Sequence, residues 1–161
     1  MYFLYINCGG KQAIVNKKSY DDDSDSSGPA KFHVSPTGNW AFSTTGIFID
    51  GDQLGETYSP TNNAKLTMAD TELYMNARVS PISLTYYGFC LANGSYTVNL
   101  HFAEIMFTDD QTYGSLGRRL FDIYLQVHAL TTLLVKWSLA TKIRKIQRTI
   151  FFPIKIRKIS H

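Results

Sequence analysis

The stretch from 83 to 105, SLTYYGFCLANGSYTVNLHFAEI, limits the choice of fold more than any other. In its second half Tyr96, Val98, Leu100 and Phe102 alternate with Thr97, Asn99 and His101. A period of two sends successive side chains to opposite faces of a strand, one buried and one wet. Asn93-Gly94 divides the stretch into two β-rich runs. Both turn residues tolerate positive φ, so a tight hairpin is expected there. Leu120–Gln126 is a further strand candidate, with Phe121, Ile123 and Leu125 on one face. Tyr2–Ile6 is another, ended by the turn signal Asn7-Cys8-Gly9-Gly10, and Gln12–Val15 is expected to pair back on it. Trp40–Phe42 and Ile47–Ile49 flank a turn at Gly46, while 71–78 tolerates either a helix or an extended chain. Ten Tyr and ten Phe suit strands. Short strands, frequent turns and few long helical patterns together predict an all-β protein, a jelly-roll-like β-sandwich.

Charge divides the chain. Residues 1–126 carry a net charge of −5 and residues 127–161 a net charge of +8. Every Gly and every Tyr lies in the first segment. The whole-chain charge of +3 is therefore no sign of nucleic-acid affinity. In the basic segment KIRKI occurs twice, and Leu139, Ile143, Ile146 and Ile150 fall at helical spacing. One reading is a basic amphipathic helix on an anionic membrane. The other is a stretch never selected as protein, since A/T-rich codons supply Lys, Ile, Phe and Arg. The expected organisation is a domain over 2–126 and a non-homologous, disordered or helical basic tail over 127–161. No apolar run approaches the roughly 18 residues of a membrane span. Tyr2–Ile6 is too short, and lacks a preceding basic segment, to read as a secretory leader.

Motifs for chemistry are mostly absent. Asp21, Asp23 and Asp25 alternate like the start of a calcium loop. However, Ser26 stands where the sharp-turn Gly belongs and Phe32 where the bidentate Glu belongs, so 21–28 reads as a solvated acidic loop. Gly9-Gly10-Lys11 lacks the first Gly and the Ser or Thr of a phosphate-binding loop. There is no nucleophile elbow and no kinase catalytic loop. Four scattered His give no metal cluster, His101 reads as a surface residue, and no cofactor or metal is expected. Glu104, Asp109, Asp110 and Asp122 could include a glycosidase pair, a remote alternative. Asn93-Gly94-Ser95 is an N-glycosylation sequon on the expected hairpin tip. Cys8 and Cys90 either form a bridge, constraining the unfolded chain by roughly 4–5 kcal/mol, or remain two free thiols. Tyr74, Tyr86, Tyr87 and Phe107 stand near the hairpin or the loop FTDDQTY at 107–113. Rings pack on sugar C–H faces, and Asp or Asn side chains hold hydroxyls. At least half of these rings are expected to fill the core instead.

The segments LYINCGG, NWAFSTTGIFID, LYMNARVSPISLTYYGFCLANGSYTVNLHFAEIMFTDDQTY and LGRRLFDIYLQ resemble the malectin domain. The form they resemble is that of plant leucine-rich-repeat receptor-like serine/threonine kinases. The resemblance implies a non-catalytic, carbohydrate-binding jelly roll outside the cell. In such receptors it lies between leucine-rich repeats and a transmembrane helix that leads to a cytoplasmic kinase. It implies ligand contact by Tyr74 and by Phe107, with Met106 replacing the first of an adjacent aromatic pair. Asp109 and Asp110 are the candidate hydroxyl acceptors. The implied partners are a glycan or cell-wall oligosaccharide, or alternatively a peptide or another receptor ectodomain. Nucleic acid is not implied, and membrane association would come only through other parts of such a receptor. The resemblance stops at Gln126, and the expectation is a truncated ectodomain fragment.

Overall fold

A computed structural model describes residues 1–25, 28–48, 59–62, 70–92, 94–102, 105, 118–125, 128–136 and 146–154. The chain is all-β, as the alternation predicts, with one 3-10 turn at Thr71–Tyr74 among the described residues. Its strands form four groups, two of three strands and two of two.

The first sheet holds β1 (Ile6–Asn7), β2 (Ala13–Val15) and β3 (Lys18–Asp22) in the order β1-β3-β2. Gln12–Val15 does not pair back on the first strand. β2 pairs forward with β3, with Val15 opposite Lys18. Asn16 and Lys17 both take positive φ, 50° and 63°. Two consecutive left-handed residues give a turn whose twist matches that of the strands, and Asn adopts that conformation readily. β1 then lies parallel to the end of β3, Ile6 opposite Asp21.

The second sheet holds β4 (Phe32–Val34), β5 (Trp40–Thr45) and β6 (Ser83–Gly88) in the order β4-β5-β6, all antiparallel. Its registers put His33, Phe42 and Tyr86 in one row and Phe32, Ser43 and Thr85 in the next. The pleat sends these rows to opposite faces. Trp40, Ala41 and Phe42 are fully buried and Thr44 nearly so, and the core sits on the Trp40–Phe42–Thr44 side.

Among the described residues the two runs on either side of Asn93-Gly94 do not pair with each other as expected. β6 closes the second sheet, whereas β7 (Gly94–Phe102) pairs with β10 (Ile146–Ile154). After β6 the backbone donors go elsewhere: Phe89 N to Asn39 O at 2.7 Å and Ala92 N to Met1 O at 2.9 Å. The chain thereby leaves one sheet for another, with Cys90 at φ 56°. Asn93 itself lies outside the described residues.

The basic segment also departs from expectation. β9 (His128–Lys136) pairs antiparallel with β8 (Arg118–Leu125), with a register shift between Ile123 and Tyr124. β10 runs antiparallel to β7 in unbroken register, from Ile146 opposite Phe102 to Ile154 opposite Gly94. The helical spacing of Ile146 and Ile150 is overruled. Thr149 to Phe152 are β-branched or aromatic, and the long edge of β7 offers a full row of donors and acceptors. Pro153 fits because β10 has a single described neighbour and one of its edges needs no donor.

Candidate functional site

The acidic loop expected to be solvated supplies the best-buried charge in the described structure. Asp23 is 1% exposed and Arg78 6%. Arg78 Nε donates to Asp23 Oδ2 at 2.8 Å and Nη2 to Oδ1 at 2.9 Å, a two-pronged pair. Nη2 also reaches the carbonyls of Asp23 and Asp25. Gly9 N and Tyr86 OH donate to Asp23 Oδ2 at 2.9 and 2.6 Å. The guanidinium lies over the Phe42 ring, 4.1 Å from its centre. Burial pushes the Tyr86 phenol far above its ordinary range, and the Asp23 charge adds to the shift. A carboxylate with this many donors is not placed to act as a base. The cluster ties the turn after β1, the end of β3, β6 and the segment after the 3-10 turn into one unit. Gly9 permits this closeness. It takes φ +77°, and a Cβ there would lie 2.5 Å from the Ala77 carbonyl carbon.

Tyr74, expected to face a ligand, is 2% exposed. It ends the 3-10 turn, and its OH lies 2.7 Å from His101 Nδ1 on β7. The ring therefore has no free face to stack on sugar, and His101 is a half-buried partner rather than a surface residue. Burial raises the Tyr74 phenol to about 12, with the Asp70 charge adding to it. The unfolded phenol ionises near its ordinary value of 10.0. The stabilisation is thus complete below that value and is lost as pH rises towards 12. Urea titrations should show stability falling steeply over that window, with a shallower fall in Tyr74→Phe. Equal slopes in the two proteins would contradict this.

The other expected contacts, Phe107, Asp109 and Asp110, lie outside the described residues, as do Met106 and Glu104. Asp122 is exposed on β8. The Cys8–Cys90 bridge is not formed: both thiols are free and exposed. They sit on separate turns. The Cys90 carbonyl accepts from the amino terminus at 3.0 Å, and the Cys8 thiol faces Ile6 O at 3.9 Å. Among the described residues no group of three or more His, Cys, Asp or Glu could hold a metal ion.

Two open surfaces stand out among the described residues. The first is the outer face of the β4-β5-β6 sheet. Phe32 is 61% exposed, Val34 46% and Tyr87 40%. The Phe32 and Tyr87 rings meet edge to face, 6.1 Å between centres. Beside them runs a row of hydroxyls: Ser43 Oγ is 3.1 Å from Tyr87 OH, and Thr45 Oγ1 is 2.6 Å from Ser83 Oγ. Phe32, Val34, Ala41, Ser43, Thr45, Ser83, Thr85 and Tyr87 share this face by register, and none of them is charged. The β-rich run that holds 83–88 was a sequence signal for it. The contribution of β4 was not legible, because Phe32–Val34 is a three-residue strand too short to show a period.

The second surface is a cleft of about 300 Å³ between the turn after β1, the start of β2 and the 3-10 turn, lined by Asn7, Lys11, Gln12, Ala13, Glu72, Met75 and Asn76. The segment around Asn76 is fixed by a bridge to Thr61 and by Asn62 N to Met75 O at 2.6 Å. Asn76 Oδ1 accepts from Thr61 Oγ1 at 2.9 Å.

Comparison with known proteins decides the family. The family model for the malectin domain matches residues 2–159. The chain belongs to the malectin family. The match runs past Gln126 and spans both β9 and β10. Among similar proteins is a probable LRR receptor-like serine/threonine-protein kinase of Arabidopsis thaliana, 50% identical over 78% of this chain and 13% of that protein. The probable kinase RFK1 of the same plant is 45% identical over 76% of this chain and 12% of its own length. The malectin chain thus spans only about an eighth of these relatives. The matched portion is their malectin region, a non-catalytic module. No solved structure matches this chain.

Proposed function

We propose that this malectin domain is a non-catalytic carbohydrate-recognition module of a receptor-kinase ectodomain, on the extracellular side of a plasma membrane. The observation that carries the reading is the uncharged outer face of the β4-β5-β6 sheet. There the exposed rings of Phe32 and Tyr87 adjoin a row of Ser and Thr hydroxyls. Rings give C–H faces an apolar seat, hydroxyls exchange hydrogen bonds with hydroxyls, and an uncharged face suits a neutral glycan. The loop with Phe107, Asp109 and Asp110 belongs to the same reading as a second set of contacts, and a glycan on Asn93 would fit an extracellular setting.

The test is retention of the purified chain on neutral cell-wall polysaccharides and on a glycan array. Phe32→Ala with Tyr87→Ala should weaken retention about tenfold or more, as expected for two lost ring contacts. Retention unchanged in the double variant would remove this face from the site. A second reading, a peptide- or protein-binding module on the same scaffold, draws support from the exposed Ile47 and Ile82 near the end of the sheet, 58% and 78% exposed. A blank array together with co-purification of another receptor ectodomain would select it.

A further inference from the structure

We infer that the outer edge of β4 pairs with itself: two copies of this chain join there as an antiparallel twofold dimer, with Phe32 of each opposite Val34 of the other. The direction of the backbone bonds makes the edge available. Ser35 N donates to Trp40 O and Thr44 N to Lys31 O, both at 2.9 Å. Bonded positions alternate along an antiparallel pair. Lys31, His33 and Ser35 therefore turn their backbone groups towards β5, while Phe32 and Val34 turn theirs away. Among the described residues β5 is the only neighbour of β4, so those groups point off the sheet. Neither Phe32 nor Val34 has a backbone hydrogen bond outside the sheet among the described residues. Both side chains are exposed and apolar, and an apolar open edge invites pairing unless charge guards it. The flanking Lys31 is a poor guard. Its ammonium is held by Asp25 Oδ2 at 2.6 Å, and the pleat puts it on the face opposite Phe32 and Val34.

The strand is complementary to a second copy of itself in one register. A twofold axis at His33 sets Phe32 against the partner's Val34 on each side of the axis. Every outward N–H and C=O of Phe32 and Val34 then meets its counterpart. On the outer face a ring lies beside a β-branched side chain twice over, a favourable cross-strand pairing. Lys31 stands opposite the partner's Ser35, so like charges do not meet. Shifting the register by two residues loses the fit. An axis at Val34 brings Phe32 opposite Pro36, which has no N–H to give. An axis at Phe32 brings Val34 opposite Ala30, which lies outside the strand with φ 51°. A three-residue edge makes a small contact, so the dimer is weak, with a dissociation constant of about 0.1–1 mM. Such a pair forms where chains are held close together, as tethering to one membrane holds them. The inference does not rest on sugar recognition, since backbone groups carry the pairing.

The test is disulfide trapping in the full chain, with Cys8→Ser and Cys90→Ser removing the native thiols. Phe32→Cys and Val34→Cys chains are mixed at about 0.2 mM and oxidised. Opposed bonded residues lie about 5.5 Å apart at Cα, within disulfide reach. The mixture should therefore give a cross-linked heterodimer several-fold in excess of the homodimer from either chain alone. Sedimentation of the unsubstituted chain from about 0.02 to 1 mM should show the apparent mass rising towards that of a dimer. Val34→Pro removes an outward N–H at an edge position, where proline is tolerated, and should cut dimer formation about tenfold or more while keeping the circular dichroism of the monomer. Equal trapping in the mixture and in the single-cysteine chains would overturn the inference. A monomer at the highest concentration would do so too, as would a folded Val34→Pro chain that dimerises like the unsubstituted one. If Val34→Pro fails to fold, the trapping ratio and the sedimentation decide without it.

Discussion

Arg78→Ala should cost about 3–5 kcal/mol of folding stability, the penalty for leaving a buried carboxylate without its partner. Asp23 would keep the Gly9 and Tyr86 donors but lose the guanidinium that neutralises it. Phe42 would also lose the cation over its ring. Asp23→Ala should be comparably damaging, because Arg78 would keep its charge and its carbonyl contacts with no anion beside it. The informative experiment is the double-mutant cycle in urea. If the charges pair as described, Asp23→Ala with Arg78→Ala should cost clearly less than the two single changes added. Additive losses would mean that the two side chains do not interact in the folded protein.

Trp40→Ala should be the other large loss, about 3–5 kcal/mol, from a cavity in the middle of the second sheet. Trp40 is fully buried, and its indole N–H donates to Asp21 Oδ2 at 3.0 Å. Its ring packs with His33 and Tyr86, at 6.5 and 6.1 Å between centres. The substitution therefore removes apolar burial and a link from β5 to β3. Trp40→Phe should recover much of the packing but not the link to Asp21, and so fall between the wild type and Trp40→Ala. Thermal unfolding with calorimetry would measure both. A Trp40→Ala protein as stable as the wild type would contradict the placement of the core on this face.

Sheet class and strand positions were legible because they depend on local periodicity. The alternation in 94–102 and the apolar run from Trp40 formed strands where expected. Pairing was not legible. The turn residues of Asn93-Gly94 suggested a hairpin, but β6 found β5 and β7 found β10. A turn signal states only that the chain can reverse. Which neighbour it meets afterwards depends on donors and acceptors elsewhere, here Asn39 O and Met1 O. A tight hairpin that does form, at Asn16-Lys17, carried a weak signal, an Asn beside a lysine where glycine usually stands. For the candidate site the sequence pointed to rings, and the structure divided them. Tyr74 went inside, Tyr86 into the ion cluster and Tyr87 to the surface. These residues share composition and neighbourhood, so only the register of their strands could sort them.

By itself the sequence determined the all-β class, the strands that begin at Trp40, Ser83, Gly94 and Arg118, and the family, because alternation and ordered motifs are properties of neighbouring residues. Tertiary structure alone decided that an aspartate from an acidic loop is buried against Arg78, that Tyr74 is spent on His101, and that a basic segment with helical spacing pairs as strands. Each of these is settled by a partner 27 to 55 residues away, or by the open edge of a distant strand, and no local pattern encodes such a meeting.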